Sequence, residues 1–137
     1  MRGDQQQEGV DFFKTFAPVV SWTTIRLMLI LALVLGLYTP QVEYTADFLH
    51  APIDKDVYVE MPHGFSEPAK VLKLKKSLNG LKQAPRNFFQ HLLKGNLEGI
   101  GFTSSPADLC LFISEKVICV VYVDDTLLFS PRPEYID

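Results

Sequence analysis

Two adjacent carboxylates, Asp124 and Asp125, stand in "VVYVDDTLLF" at residues 120–129, a run otherwise apolar except for Thr126. Like charges side by side repel, and an unpaired buried carboxylate is costly or forced to stay protonated. Two remedies exist: a turn that lifts the acids into water, or a cation between them. Aspartate is a natural turn residue, so an exposed hairpin tip could carry the pair with no function. The same acids between rigid strands also suit a hard divalent cation. Magnesium takes oxygen ligands, commonly one or two carboxylates plus substrate phosphates.

The elements around them follow from periodicity and turn chemistry. "DLCLFISEKVICVVYVDDTLLFS" reads as strand, tight turn at Glu115-Lys116, strand over 117–122, turn over 123–125, and strand over 126–129. That is a β-meander with the acids on a hairpin tip. Short strands are also expected at 41–44, and, from alternation, at 57–60 and 71–74. "SLNGLKQAP" is a loop punctuated by Gly80 and Pro85. The stretch after it fits a helix with Phe88, Phe89, Leu92, Leu93 and Leu97 on one side, despite Gly95, with Gly99 and Gly101 able to end it. A helix over 22–36 can be capped by the hydroxyls at 21–24 and cannot continue through Pro40. Residues 1–10 are polar, with two glycines, and read as lacking regular structure.

With 137 residues, 47% hydrophobic and 12% aromatic, the chain is globular and forms one domain or part of one. A net charge of −3 argues against a free-standing nucleic-acid binder. The charge is uneven, however. Lys70, Lys73, Lys75, Lys76, Lys82, Arg86 and Lys94 fall in a segment with no acid. Such a run is either a solvated face or a phosphate-facing surface. Cys110 and Cys119 lie in apolar strand-like context and no signal peptide precedes them, which points to a reduced pair in an intracellular protein of cytoplasm or nucleus, not a secreted one. The uncharged stretch 27–38 has 12 residues, whereas a membrane span needs about 20. An all-round apolar helix of that length reads as a core helix packed on several sides, with no membrane role.

Several segments, in order, then carry a resemblance: "FFKTFAPVVSWTTIRLMLILA", "QVEYTADFLHAPIDKDVYVEMPHGF", "LKKSLNGLKQAPRNFFQ", "LEGIGFTSSPADLCLF" and "VVYVDDTLLF". Their order and spacing resemble the reverse transcriptase of copia-type LTR retrotransposons, part of a Pol polyprotein, over about residues 2–130. "YVDD" alone is a weak sign; "SLNGLKQAPR" followed by it about forty residues later is a strong one. The resemblance implies an α+β fold: a polymerase palm with partial fingers, its antiparallel sheet covered by helices on one face, and truncated. Residues 1–10 would be a disordered remnant of the fingers, 11–130 a partial reverse transcriptase domain, and 131–137 a tail.

The implied reaction is RNA-directed DNA polymerisation. A primer 3′-hydroxyl attacks the α-phosphate of a deoxynucleotide on an RNA or DNA template, with two Mg2+ or Mn2+ ions. By the same resemblance Asp124, Asp125 and Glu43 are the catalytic metal ligands, Phe48, Lys82, Gln83 and Arg86 face the nucleotide, and Lys73, Lys75 and Lys76 face nucleic acid. Phe48 matches the bulky residue that excludes a ribose 2′-hydroxyl, although an ordinary core phenylalanine fits the pattern equally well.

Departures from the family pattern matter too. Glu43 stands where "xxDVxxAFL" has aspartate, Asp47 where it has a small residue, and Asn79 where a tyrosine is usual. The sequence opens inside an "ARLVAKG"-like stretch and closes soon after the hairpin, so thumb and RNase H sequences are expected to lie outside it. Two readings stand: a nucleotidyltransferase by descent, inactive alone, or a non-catalytic remnant, either unfolded in the cell or kept as a nucleic-acid or protein binding module. A small membrane-associated protein using 25–38 is the weakest third.

Overall fold

A computed structural model describes residues 2–43, 50–65 and 70–136. The chain divides into two compact units, one of Met1–Phe16 with Ala46–Leu92 and the other of Ala17–Thr45 with Leu93–Asp137.

The second unit contains the expected meander. Its five antiparallel strands are β1 (Gln41–Glu43), β4 (Thr103–Ser104), β5 (Leu111–Ile113), β6 (Ile118–Tyr122) and β7 (Asp125–Phe129), in the spatial order β1-β7-β6-β5-β4. The β-branched run "ICVVY" makes β6 the most buried strand, and Cys110, Phe112, Cys119, Val120, Val121 and Phe129 form the core around it. β1 closes the far edge. Tyr38 and Ser130 exchange backbone hydrogen bonds of 2.8 and 3.0 Å, and the Pro40 carbonyl accepts from Leu128 N–H. Proline lacks a donor, and an edge position spares it one.

Helix α1 (Trp22–Leu35) precedes β1. Ser21 Oγ accepts from Thr24 N–H at its start, and Gly36 closes it at φ +62 while Leu37 N–H bonds the Ala32 carbonyl. Asp108 anchors the start. Its Oδ2 accepts from Ser21 N–H (2.9 Å) and Thr24 Oγ (2.6 Å), and its Oδ1 accepts from Cys110 N–H (3.0 Å). Partial burial pushes this carboxyl up, but the donors from Thr24, Ser21 and Cys110 outweigh it and hold the group below its ordinary 3.8. The expectation of a helix packed on several sides is corrected here. Only Met28 and Ala32 are buried, while Leu33 and Val34 are 84% and 74% exposed. A helix docked along one stripe buries positions four apart and leaves the remaining sides bare, whatever their polarity. Among the described residues no helix is long and apolar enough to cross a membrane.

The first unit holds a two-stranded antiparallel ribbon, β2 (Tyr58–Glu60) and β3 (Val71–Lys73), beside a small core of Val57, Leu81 and Ala84. Residues 1–10 are expected to lack regular structure, and those described among them do not lack it. A 3-10 turn at Gly3–Gln5 leads into the buried Gln6, whose Nε2 donates to Gln83 Oε1 (2.9 Å) and whose Oε1 accepts from Lys82 N–H (2.8 Å). Gln83 Nε2 in turn donates to the Asp11 carbonyl. Gly3 is required at this approach, since a Cβ there would sit 1.9 Å from the Gly80 carbonyl oxygen.

The expected long helix is also present, in a modified form. α2 (Ala84–Asn87) runs into a π-helix (Phe88–Lys94) and then α3 (Gly95–Gly99). The wider turn of a π-helix aligns positions five apart, and Phe88 and Leu93 are both buried.

Candidate functional site

The acids of the opening motif lie at one end of the five-stranded sheet. β6 and β7 pair up to Tyr122↔Asp125, so only Val123 and Asp124 make the turn. Asp125, expected in the turn, is the first residue of β7 and is held by pairing on both sides. Val123 is the one non-glycine at positive φ (+53) among the described residues. A β-branched side chain in that region is unusual, and strained backbone of this kind costs on the order of 1–3 kcal/mol and tends to occur at functional sites.

The neighbouring strand supplies the third acid. β1 pairs with β7 so that Glu43 faces Asp125, Val42 faces Thr126 and Gln41 faces Leu127. Directly opposite residues point to the same face with Cβ atoms about 4.5–5.5 Å apart, and like charges so placed destabilise the pair. Glu43 is exposed; Asp124 and Asp125 are half-buried. Asp124 Oδ1 is shielded from water and accepts no hydrogen bond. Asp125 Oδ1 accepts from Gln41 Nε2 at 2.9 Å. The backbone thus collects the three predicted acids at one sheet end. Among the described residues no three His, Cys, Asp or Glu side chains draw together as a group that could hold a metal.

Alternation sends Val42, Thr126 and Leu128 to the opposite face. There they line, with Leu97, Phe102 and Cys119, a mainly apolar cavity of about 680 Å³. Cys119 and Cys110 are free thiols, both pushed up by burial to about 12, so neither offers a thiolate for chemistry.

The residues expected to meet nucleotide and nucleic acid lie in the first unit, and several have local partners. Lys73 pairs with Asp56 at 2.6 Å, and this hydrogen bond raises its pKa above the ordinary value. Arg86 pairs with Asp54 at 3.5 Å. Lys82 Nζ lies 4.9 Å from the centre of the Phe12 ring. Gln83 is fully buried in the network with Gln6 and Asp11. Lys75 and Lys76 are exposed. Phe48 and Asp47 lie outside the described residues. The basic run therefore does meet acids: Asp54 and Asp56 before the segment and, for Lys94, Glu98 just after it at 3.8 Å. Sequence reading also passed over Gln41, although its place two residues before Glu43 in one strand sets both on the same face.

Comparison with known proteins agrees with the motif reading. The reverse transcriptase (RNA-dependent DNA polymerase) family profile matches residues 1–137. The chain is 37% identical over 136 residues to the retrovirus-related Pol polyprotein from transposon TNT 1-94 of Nicotiana tabacum, covering 93% of this chain and 10% of that protein. It is 37% identical over 139 residues to the corresponding polyprotein from transposon RE1 of Arabidopsis thaliana, covering 96% and 9%. The transposon Ty1-H Gag-Pol polyprotein of Saccharomyces cerevisiae is 30% identical over 134 residues, covering 94% and 7%. The chain thus spans about a tenth of the length of these relatives or less. No solved structure matches it. A family match across the whole chain, with relatives drawn from Pol polyproteins of copia-type elements, means that this chain belongs to the reverse transcriptase family.

Proposed function

We propose that the unit carrying the five-stranded sheet is polymerase palm, that the other unit includes part of the fingers, and that Glu43, Asp124 and Asp125 are ligands for divalent cations in nucleotidyl transfer. The observation that carries this reading is the register that sets Glu43 opposite Asp125, beside the turn holding Asp124. The donor chemistry fits. All three groups offer oxygen only, as Mg2+ or Mn2+ prefers, and the shielded Asp124 Oδ1 has no donor of its own. A cation would also relieve the repulsion across the Glu43–Asp125 pair. When bound, such ions lower the pKa of an attacking hydroxyl and steady a leaving pyrophosphate. The chain's own contribution is to hold the acids on a paired hairpin while exposed lysines such as Lys75 and Lys76 attract a template-primer backbone. Phe48, Lys82, Gln83 and Arg86 as nucleotide-side residues, and Lys73 as a nucleic-acid contact, rest on the resemblance. The buried thiols Cys110 and Cys119 are consistent with a reducing intracellular setting.

Two features favour the second reading, a remnant without catalysis. Glu43 places its carboxylate one carbon further out than an aspartate, and misplacement of about 1 Å can cost on the order of 10²-fold in rate. Asp47 adds a charge on the nucleotide side of the family pattern. We therefore infer no measurable templated synthesis from the 137 residues alone. Primer extension tests this in two arms. The isolated chain should show no incorporation above an Asp124→Ala, Asp125→Ala control. Grafted into the tobacco relative's polyprotein, the segment should gain about 10²-fold with Glu43→Asp and lose all synthesis with Asp124→Ala. Full synthesis by the Asp124→Ala graft would overturn the site assignment.

A further inference from the structure

Strand β1 presents two polar side chains on the face of the acids, Glu43 and, two residues earlier, Gln41. Gln41 pairs with Leu127 and Asp125 with Glu43, so the 2.9 Å bond from Gln41 Nε2 to Asp125 Oδ1 runs diagonally across β1 and β7. Asp125 Oδ2 accepts no hydrogen bond from the described residues. One carboxylate oxygen is therefore held by Gln41, and the other has no partner among the described residues. The holder is an amide, which donates without carrying charge. A lysine or arginine there would neutralise Asp125 and repel a cation. A glutamate would add a third like charge to the Glu43–Asp125 pair.

We propose that Gln41 is a positioning residue for Asp125. It fixes one oxygen of the carboxylate so that the other is presented to a divalent cation. This inference rests on the cation-site reading above. It predicts that removing the amide weakens cation binding while the fold persists, because groups that orient a ligand commonly contribute about 10–100-fold to metal affinity.

The test uses the 137-residue chain with Mn2+ as probe, its free and bound fractions read by electron paramagnetic resonance, together with 15N NMR of the glutamine side-chain amides. Gln41→Leu should bind Mn2+ about tenfold more weakly than wild type, with an unchanged thermal midpoint. Gln41→Thr, which favours a strand but is too short to reach Asp125, should show the same loss. In Asp125→Ala the Gln41 amide signal should move. Mn2+ affinity in either Gln41 variant equal to wild type overturns the positioning role and leaves the cation site standing. An unmoved Gln41 amide signal in Asp125→Ala overturns the hydrogen bond on which the role depends. If wild type binds Mn2+ no better than Asp124→Ala, Asp125→Ala, the cation-site reading fails and this inference fails with it.

Discussion

Two regions gather polar side chains and treat them in opposite ways. In the first unit, Gln6 and Gln83 are buried, and their amides donate and accept among themselves, Asp11 and Lys82. At the sheet end of the second unit, Asp124 Oδ1 is shielded with no partner and Glu43 faces Asp125 directly. A satisfied network stabilises a unique packing, whereas an unsatisfied one weakens the fold unless something else completes it. The glutamines therefore read as structural, and the acids are the proposed cation site.

The sharpest way to break this contrast is to delete a member of a satisfied network. Gln83→Leu strands Gln6 Nε2 and the Asp11 carbonyl, and should destabilise the chain by about 2–4 kcal/mol in urea titration. Asp108→Ala removes two hydrogen bonds at the start of α1 and one from Cys110 N–H, and should cost about 2 kcal/mol. The Asp108 carboxyl is held below 3.8 in the fold. Its contribution is thus fully present above that ordinary value and is lost as pH falls through the lower folded value. Wild type minus Asp108→Ala should therefore shrink in acid and stay constant from neutrality down to about pH 5.

Smaller effects of opposite sign are expected at the hairpin. In the absence of divalent cations, Asp125→Asn should raise stability by on the order of 0.5 kcal/mol, because it removes repulsion from Glu43. Glycine at position 123 should relieve the left-handed φ of Val123 and stabilise by about 1 kcal/mol. The bare side of α1 adds a test outside both regions. Leu33 and Val34 leave a large apolar surface, so the isolated chain should self-associate with rising concentration, and Leu33→Glu with Val34→Lys should shift sedimentation towards monomer.

Much of this architecture was legible in the sequence because it is local. The caps of α1, the meander and the acids on its last hairpin follow from turn chemistry and alternation within a few residues of each other. What was hidden is long-range. A short strand at 41–44 is legible but its register on β7 is not, and that register decides that Glu43 meets Asp125 and that Gln41 reaches it. The acids that meet Lys73 and Arg86, Asp56 and Asp54, lie well before the basic run in sequence. The all-round apolar pattern of α1 could not say which sides find a partner, since hydrophobicity records a preference and not a neighbour. Aspartate is a natural turn residue, so the sequence puts both acids in the turn; pairing alone shows that the turn is two residues long.

The central claim is that Asp124 and Asp125 form a cation site, and thermal unfolding with and without Mn2+ tests it most directly. A ligand that binds only the folded state raises the midpoint with its concentration. Wild type should rise on adding Mn2+. Asp124→Asn, Asp125→Asn should start higher without the ion and show no rise with it. Equal Mn2+ responses in the two proteins, or no response in wild type, would contradict the account.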